Sequence, residues 1–285
     1  MGEIGGSTQV TFPAGAVDGR SVVVASVPLD GGFGVVVERT PFHPLDHAWP
    51  DQPADTGVLR DAGWEMPVVD CLTGAVRDGE LLVGADVPVR RGADGWHWVV
   101  VHVVEQEVAE GTEVLLLVDE ERRDALSAGH TGCHLMALAL NAALAGHWRK
   151  DVEADGLGHP DFDKAAIVSS RIVPDGSRDV YRIGKSLRKK GFVADDLAGV
   201  EADVNARLAA WVAADAPVRI EVPSPELAAR RVWWCELPEG TAGIPCGGTH
   251  VRRLGELGGV AARLELDGAE LAVTTQTRQM RTVLS

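Results

Sequence analysis

The sequence predicts an α+β fold in two parts. The first is a small barrel-like domain of short strands over residues 1–115; the second, over 116–285, packs helices on an antiparallel sheet. Three observations predict this. Between residues 21 and 104, β-branched runs alternate with Gly, Pro and Asp turns, the pattern of a small antiparallel barrel or folded sheet. From Asp119 the chain turns acidic and then alanine- and leucine-rich, as a helix does. A chain of 285 residues with 45% hydrophobic content also has material for two cores.

Residues 21–27, 34–38 and 98–104 read as strands, each dominated by valine. Asp119-Glu120-Glu121 is an acid-first helix start that complements the macrodipole. After Gly129, Leu135, Leu138, Leu140 and Leu144 define an apolar helical face, with His130 and His134 expected in its opening turns. Residues 151–163 are rich in Gly, Asp and Pro and read as a loop. Residues 201–213 read as a helix with Val204, Leu208, Trp211 and Val212 on one side. Residues 218–222 and 231–237 read as strands, with Trp233 and Trp234 facing opposite ways. The runs 261–266 and 270–273, joined through Asp267-Gly268, read as a hairpin.

The longest apolar runs, 96–104 and 135–140, are far too short to cross a membrane as helices. The stretch Met1-Gly2-Glu3-Ile4-Gly5-Gly6 lacks the basic and apolar regions of a signal peptide, so a cytoplasmic location is expected. Cys71, Cys133, Cys235 and Cys246 are too few and too scattered for a disulfide framework, and all are expected to be reduced. A formal net charge of −15 argues against a general nucleic-acid coat protein but leaves room for a local basic patch. Between Ser177 and Phe192 there is one: Arg178, Arg182, Lys185, Arg188, Lys189 and Lys190 stand against Asp179 alone. Arg182, Lys185 and Lys189 follow at helical steps and would form a stripe. A solvated face is the plain reading, and contact with nucleic-acid phosphates is the functional one.

Two distant clusters hold the best metal ligands. His130-Thr131-Gly132-Cys133-His134 sets two imidazoles one helical turn apart; Cys246-Gly247-Gly248-Thr249-His250 sets a thiol and an imidazole across a glycine turn. Together they read as a zinc site, since zinc takes nitrogen and sulfur ligands. His250 either completes the tetrahedron or lies just off the ion. Cys133 reads as a core thiol, as do Cys71 and Cys235. The remaining histidines have no partner spacing.

At these residues the chain resembles the alanyl-tRNA editing family, the domains found within alanyl- and threonyl-tRNA synthetases and as free-standing proteins called AlaX. His130-Thr131-Gly132-Cys133-His134-Leu135 resembles that family's H-T/S-x-x-H-L, and Cys246-Gly247-Gly248-Thr249-His250-Val251 its C-G-G-T-H-V. The flanks agree in order. Glu38-Arg39-Thr40-Pro41-Phe42-His43-Pro44 and Gln52-Pro53-Ala54-Asp55-Thr56-Gly57 lie upstream; Arg122-Arg123, Glu201 with Asn205, and Gly255-Glu256-Leu257-Gly258 lie around and after the two motifs. Family members usually carry a glycine-rich stretch where this chain has Leu45-Asp46-His47-Ala48-Trp49-Pro50-Asp51. Residues 151–191 are also expanded relative to the smallest members.

The resemblance implies a trans-acting, zinc-dependent aminoacyl-tRNA deacylase, with residues 116–285 as its editing domain. His130, His134, Cys246 and His250 would hold the ion and carry catalysis. Gly247 and Gly248 would offer backbone N–H groups to an oxyanion, or serve only as turn glycines. Thr131 and Thr249 would contact substrate, or cap a helix and a turn. Arg182, Lys185, Arg188, Lys189 and Lys190 would meet the tRNA acceptor end. The expected cargo is serine or glycine on alanine tRNA, or a threonine analogue such as fluorothreonine on threonine tRNA. Two other classes remain open from the residues: a zinc hydrolase of a small ester or amide, and a non-catalytic tRNA-binding module with structural zinc.

Overall fold

The computed structural model describes residues 4–192 and 196–278, so the first three residues of the amino-terminal stretch read above lie outside it. The chain divides into two compact units that are discontinuous in sequence. One is Met1–Arg123 with Val222–Arg231 and Gly247–Thr249; the other is Asp124–Glu221 with Val232–Cys246 and His250–Ser285. The boundary expected near residue 115 thus falls at Arg123, and two later segments group with the first unit.

The first unit holds strands β1 (Gln9–Val10), β2 (Asp18–Leu29), β3 (Gly32–Val37), β4 (Arg39–Thr40), β5 (Gly57–Asp61), β6 (Trp64–Val68), β7 (Asp70–Arg77), β8 (Glu80–Val83), β9 (His97–Val104) and β10 (Glu113–Val118). Eight form an antiparallel sheet in the order β6-β5-β10-β2-β3-β9-β7-β8, and β1 pairs with β4 in parallel. Side chains alternate across a strand, so β9 feeds two cores: Trp98 and Val100 enter one, Val99 and Val101 the other. That is why this segment reads as continuous valine rather than as alternation. β6 passes into β7 through Val69 alone, although β6 ends the strand order and β7 lies near its other end. The sheet therefore coils strongly; among the described strands no pairing joins β6 to β8. Mostly antiparallel sheet is what the sequence led us to expect, and closure into a barrel is not among its pairings.

The upstream motifs lock this unit internally. Asp55 is fully buried and accepts from Arg123 Nε at 2.9 Å and from the His43 amide at 2.5 Å. Arg123 also donates to the carbonyls of Ala16 and Pro41, so the buried charge pair is hydrogen-bonded on several sides, as such a pair must be. Thr40 and His102 meet at 2.8 Å, and Thr40 accepts from the Phe42 amide.

The second unit holds α1 (Glu120–Ala143, which starts in the first unit), α2 (Phe162–Ala166), β11 (Ile167–Val173), β12 (Gly176–Arg182), α3 (Lys185–Lys189), α4 (Leu197–Ala214), β13 (Val218–Glu221), β14 (Val232–Leu237), β15 (Gly240–Pro245), β16 (Val260–Asp267) and β17 (Glu270–Thr277). A four-stranded antiparallel sheet runs β11-β12-β17-β16, and a three-stranded one runs β13-β14-β15. Leu135, Met136, Leu138 and Leu140 of α1 and Val204, Leu208 and Trp211 of α4 share one core with both sheets. Strand β16 is an edge, and edges leave backbone groups unpaired. Here α4 covers it: Asn205 both donates to and accepts from the Ala262 backbone at 2.8 Å, and Glu201 accepts from the Leu264 amide at 2.7 Å.

Two expectations need correction. The first helix runs unbroken through Gly129, so His130 and His134 lie midway along it rather than in opening turns. Gly129 is in the helix because a Cβ there would stand 2.5 Å from the carbonyl oxygens of Val173 and Gly176; close approach of the β11–β12 turn demands glycine, not a helix end. The basic run forms no helical stripe either. Arg182 ends a strand, and α3 is barely more than one turn, stopped ahead of Gly191 with its φ of 78°.

Candidate metal centre

α1 presents His130 and His134 from successive turns, and the segment after β15 presents Cys246 and His250. One ligand atom from each of the four lies within 4.8 Å of the others. Cys246 Sγ stands 3.4 Å from His130 Nε2 and 3.2 Å from His250 Nε2. Around a tetrahedral zinc, bonds of about 2.0–2.3 Å place a sulfur and a nitrogen donor roughly 3.5 Å apart, so the 3.4 Å separation matches a shared ion and the 3.2 Å one is slightly shorter. Three imidazoles and a thiol form a donor set that zinc accepts.

The decisive atom is His134 Nε2, a buried nitrogen with no hydrogen-bond partner among the described residues. Such orphans cost about 1–3 kcal/mol unless something satisfies them, and a cation among four donors does so. Burial lowers the His134 pKa to about 4, so its ring is neutral and its lone pair available. Trp233, fully buried on β14, packs on this ring with centroids 5.2 Å apart. His130 is buried, whereas His134, Cys246 and His250 are half-buried, so the donor cluster is not sealed.

The other expected site residues fall into place differently. Thr131 is fully buried; its hydroxyl donates to the Ser127 carbonyl at 2.8 Å, and the Val251 amide donates to it at 3.2 Å. Thr249 is buried, accepting from Gln52 Nε2 at 2.9 Å while its amide donates to Gln52 Oε1 at 3.0 Å. Gln52 thus clasps Thr249 by side chain and backbone, a role that its place in the upstream motif only hinted at. Gly247 is half-buried and Gly248 buried. Arg91, which no sequence pattern marked, lies over Gly247: its Nη2 is 2.9 Å from where a Cβ would stand, and its Nη1 holds Asp46 at 3.0 Å. Asp46 belongs to the segment that stands in place of the family's glycines. Arg182, Lys185, Arg188, Lys189 and Lys190 are all exposed.

Cys133 lies against a carboxylate rather than in an apolar core. Its Sγ is 3.5 Å from buried Asp179, which also accepts from Ser177 at 2.7 Å. Burial and that neighbouring charge push the Cys133 thiol up, so it stays protonated. Cys71 and Cys235 are buried, and among the described residues no disulfide joins any of the four cysteines.

No family model matches the chain. Curated relatives do. Over 238 residues, 81% of this chain, it is 30% identical to the alanine–tRNA ligase of Pyrobaculum neutrophilum, covering 22% of that protein. It is 27% identical over 263 residues to the alanine–tRNA ligase of Halorubrum lacusprofundi, covering 86% of this chain and 23% of the ligase. The ligase of Thermotoga maritima gives 27% over 259 residues, 85% and 24%. The chain matches one segment of alanine–tRNA ligases, consistent with an AlaX-like editing domain. The chain spans less than a quarter of the length of these relatives, so the likeness concerns one segment of each. Among its described residues no helix is long and apolar enough to cross a membrane.

Proposed function

We propose that this chain hydrolyses the ester joining a wrongly attached amino acid to the 3′ end of a tRNA, at a zinc ion held by His130, His134, Cys246 and His250. The observation that carries the reading is the convergence of those four donors, with His134 Nε2 otherwise unsatisfied. The similarity to alanine–tRNA ligases supports tRNA as the substrate class and alanine tRNA as the first candidate. When bound, the ion supplies Lewis acidity toward the ester carbonyl and an attacking water. The half-buried donor set favours a reactive centre over a purely structural one, because structural zinc sites are closed.

The chain's own groups share the remaining work. Backbone N–H groups of Gly247 and Gly248 are the donors for the developing oxyanion. Arg182, Lys185, Arg188, Lys189 and Lys190 meet acceptor-stem phosphates, the one concentration of positive charge in an acidic chain. Serine or glycine on alanine tRNA is the expected cargo. A threonine analogue such as fluorothreonine on threonine tRNA is the second, because Asp46 and the bulkier 45–51 segment replace the family's glycines and change what can be accepted.

The test is a deacylation panel: alanine and threonine tRNAs charged with serine, glycine, alanine, threonine and threonine analogues. Zinc-loaded protein should release at least one of them, and His130→Ala should lose release while keeping tRNA binding. Zinc-loaded protein that releases none refutes the proposal. Unchanged turnover after joint neutralisation of Lys185, Arg188, Lys189 and Lys190 refutes the phosphate-binding part.

A further inference from the structure

We infer that Thr131 is a positioning residue that sets which nitrogen of His250 carries hydrogen, and so aims the lone pair of His250 at the metal centre. The inference deepens the metal-centred reading above and rests on it, but concerns a different residue and a different bond.

Three groups converge on one hydroxyl. Thr131 Oγ1 lies 2.8 Å from the Ser127 carbonyl oxygen, one helical turn back. Two oxygens come that close only with a hydrogen between them, and a carbonyl has none to give, so the hydroxyl hydrogen is committed there. The Val251 amide can only donate, and it reaches the same oxygen at 3.2 Å. The third contact is His250 Nδ1, also at 3.2 Å. With its single hydrogen already placed, the hydroxyl can only accept from this nitrogen. His250 Nδ1 therefore carries the hydrogen, and in the neutral ring Nε2 is left with the lone pair. Nε2 is the atom 3.2 Å from Cys246 Sγ, within the donor cluster.

The consequence for chemistry is specific. A ring whose far nitrogen is held by a buried hydroxyl presents its lone pair inward in a fixed orientation, the arrangement that outer hydrogen bonds give to metal-binding histidines. Thr131 is fully buried, so it acts through His250 and the Val251 backbone, not on the substrate. The sequence left Thr131 open between a substrate contact and a cap; its surroundings point to this other task. Thr131 lies between the two histidines of α1, so one helix supplies two ligands and the support for another.

The test reads the tautomer directly. Long-range proton–nitrogen NMR of the imidazoles in wild-type protein, with zinc and after chelation, should show His250 as the Nδ1–H form. Thr131→Val keeps the shape and removes the acceptor. Zinc affinity by chelator competition should fall about 10–100-fold, the usual loss when such a supporting hydrogen bond is removed. The visible bands of the cobalt-substituted protein should change with it, and Thr131→Ser should restore both. A wild-type His250 in the Nε2–H form overturns the inference, even if Thr131→Val fails to fold. So do unchanged affinity and cobalt bands in Thr131→Val, or a serine variant no better than valine. A wild-type protein that binds no metal would instead sink the proposed function, while the tautomer in that same protein still decides the role of Thr131.

Discussion

Replacing His134 with leucine should make the metal-free protein more stable and the metal-loaded protein less so. In the metal-free chain, His134 Nε2 is buried without a partner among the described residues, a cost of about 1–3 kcal/mol that an apolar side chain of similar size does not carry. Against this stands the ring contact with Trp233, centroids 5.2 Å apart, worth about 0.5–1.5 kcal/mol; leucine replaces part of it. The balance favours leucine by roughly 1–2 kcal/mol, or about 2–8 °C in melting temperature at 2–4 °C per kcal/mol. Zinc reverses the order. A ligand at about 1,000 times its dissociation constant adds roughly 4 kcal/mol to a protein that binds it, and the leucine variant has lost one donor of four. The assay is thermal unfolding of both proteins after exhaustive chelation and again with excess zinc. A chelated His134→Leu protein that melts below chelated wild type refutes the claim that His134 is held at a cost for an ion.

Asp163 is half-buried, its pKa raised to about 6 by loss of hydration, while Tyr181 donates to it at 2.9 Å. The folded form therefore holds its proton more tightly than the unfolded chain, and stability should fall as pH rises from about 4 to 6. Asp163→Asn should thus stabilise at pH 7, by an amount on the order of 3 kcal/mol for a two-unit shift, and matter little near pH 4; denaturant titrations at the two pH values check it, and equal effects would contradict it. Gly129→Ala should destabilise despite alanine's better helix propensity, because the 2.5 Å approach to two carbonyls outweighs about 1 kcal/mol of propensity; chemical denaturation reads the sign. Glu201→Ala and Asn205→Ala should each cost about 1–3 kcal/mol, with faster hydrogen exchange at the Leu264 and Ala262 amides respectively, since each amide loses the acceptor that α4 supplies on the edge strand.

What could be read from the chain was periodic or chemically rare. The valine runs gave strands, the α4 stripe gave a helix that buries Val204, Leu208 and Trp211 as expected with Val212 half-buried, and the carboxyl-terminal hairpin forms with its turn at Gly268-Ala269, one residue on from the pair read. The His and Cys clusters were legible because few residue types bind metal and their spacings suit a helix and a tight turn. What stayed hidden depends on partners remote in sequence. Gly129 looks like a helix end until Gly176 is seen pressed against it. Lys185 and Lys189 fit a stripe until Arg182 proves to be committed to strand pairing with Glu270. Arg91 carries no local signal, and Gln52 stood out only by its place in an upstream motif, since each matters through a glycine turn more than 150 residues away. Glu201 and Asn205 stood out by resemblance, and their contacts show a backbone-covering task that resemblance does not convey.

The two halves of the donor cluster are 116 residues apart along the chain, from His130 to Cys246. During synthesis the imidazoles of α1 emerge long before the thiol that joins them, so the centre is assembled late. An ion bridging them closes a long loop in the unfolded ensemble, and cross-links spanning loops of about 100 residues remove chain entropy worth roughly 4–5 kcal/mol. Metal supply would then govern not only turnover but how often the newly made second unit comes apart again.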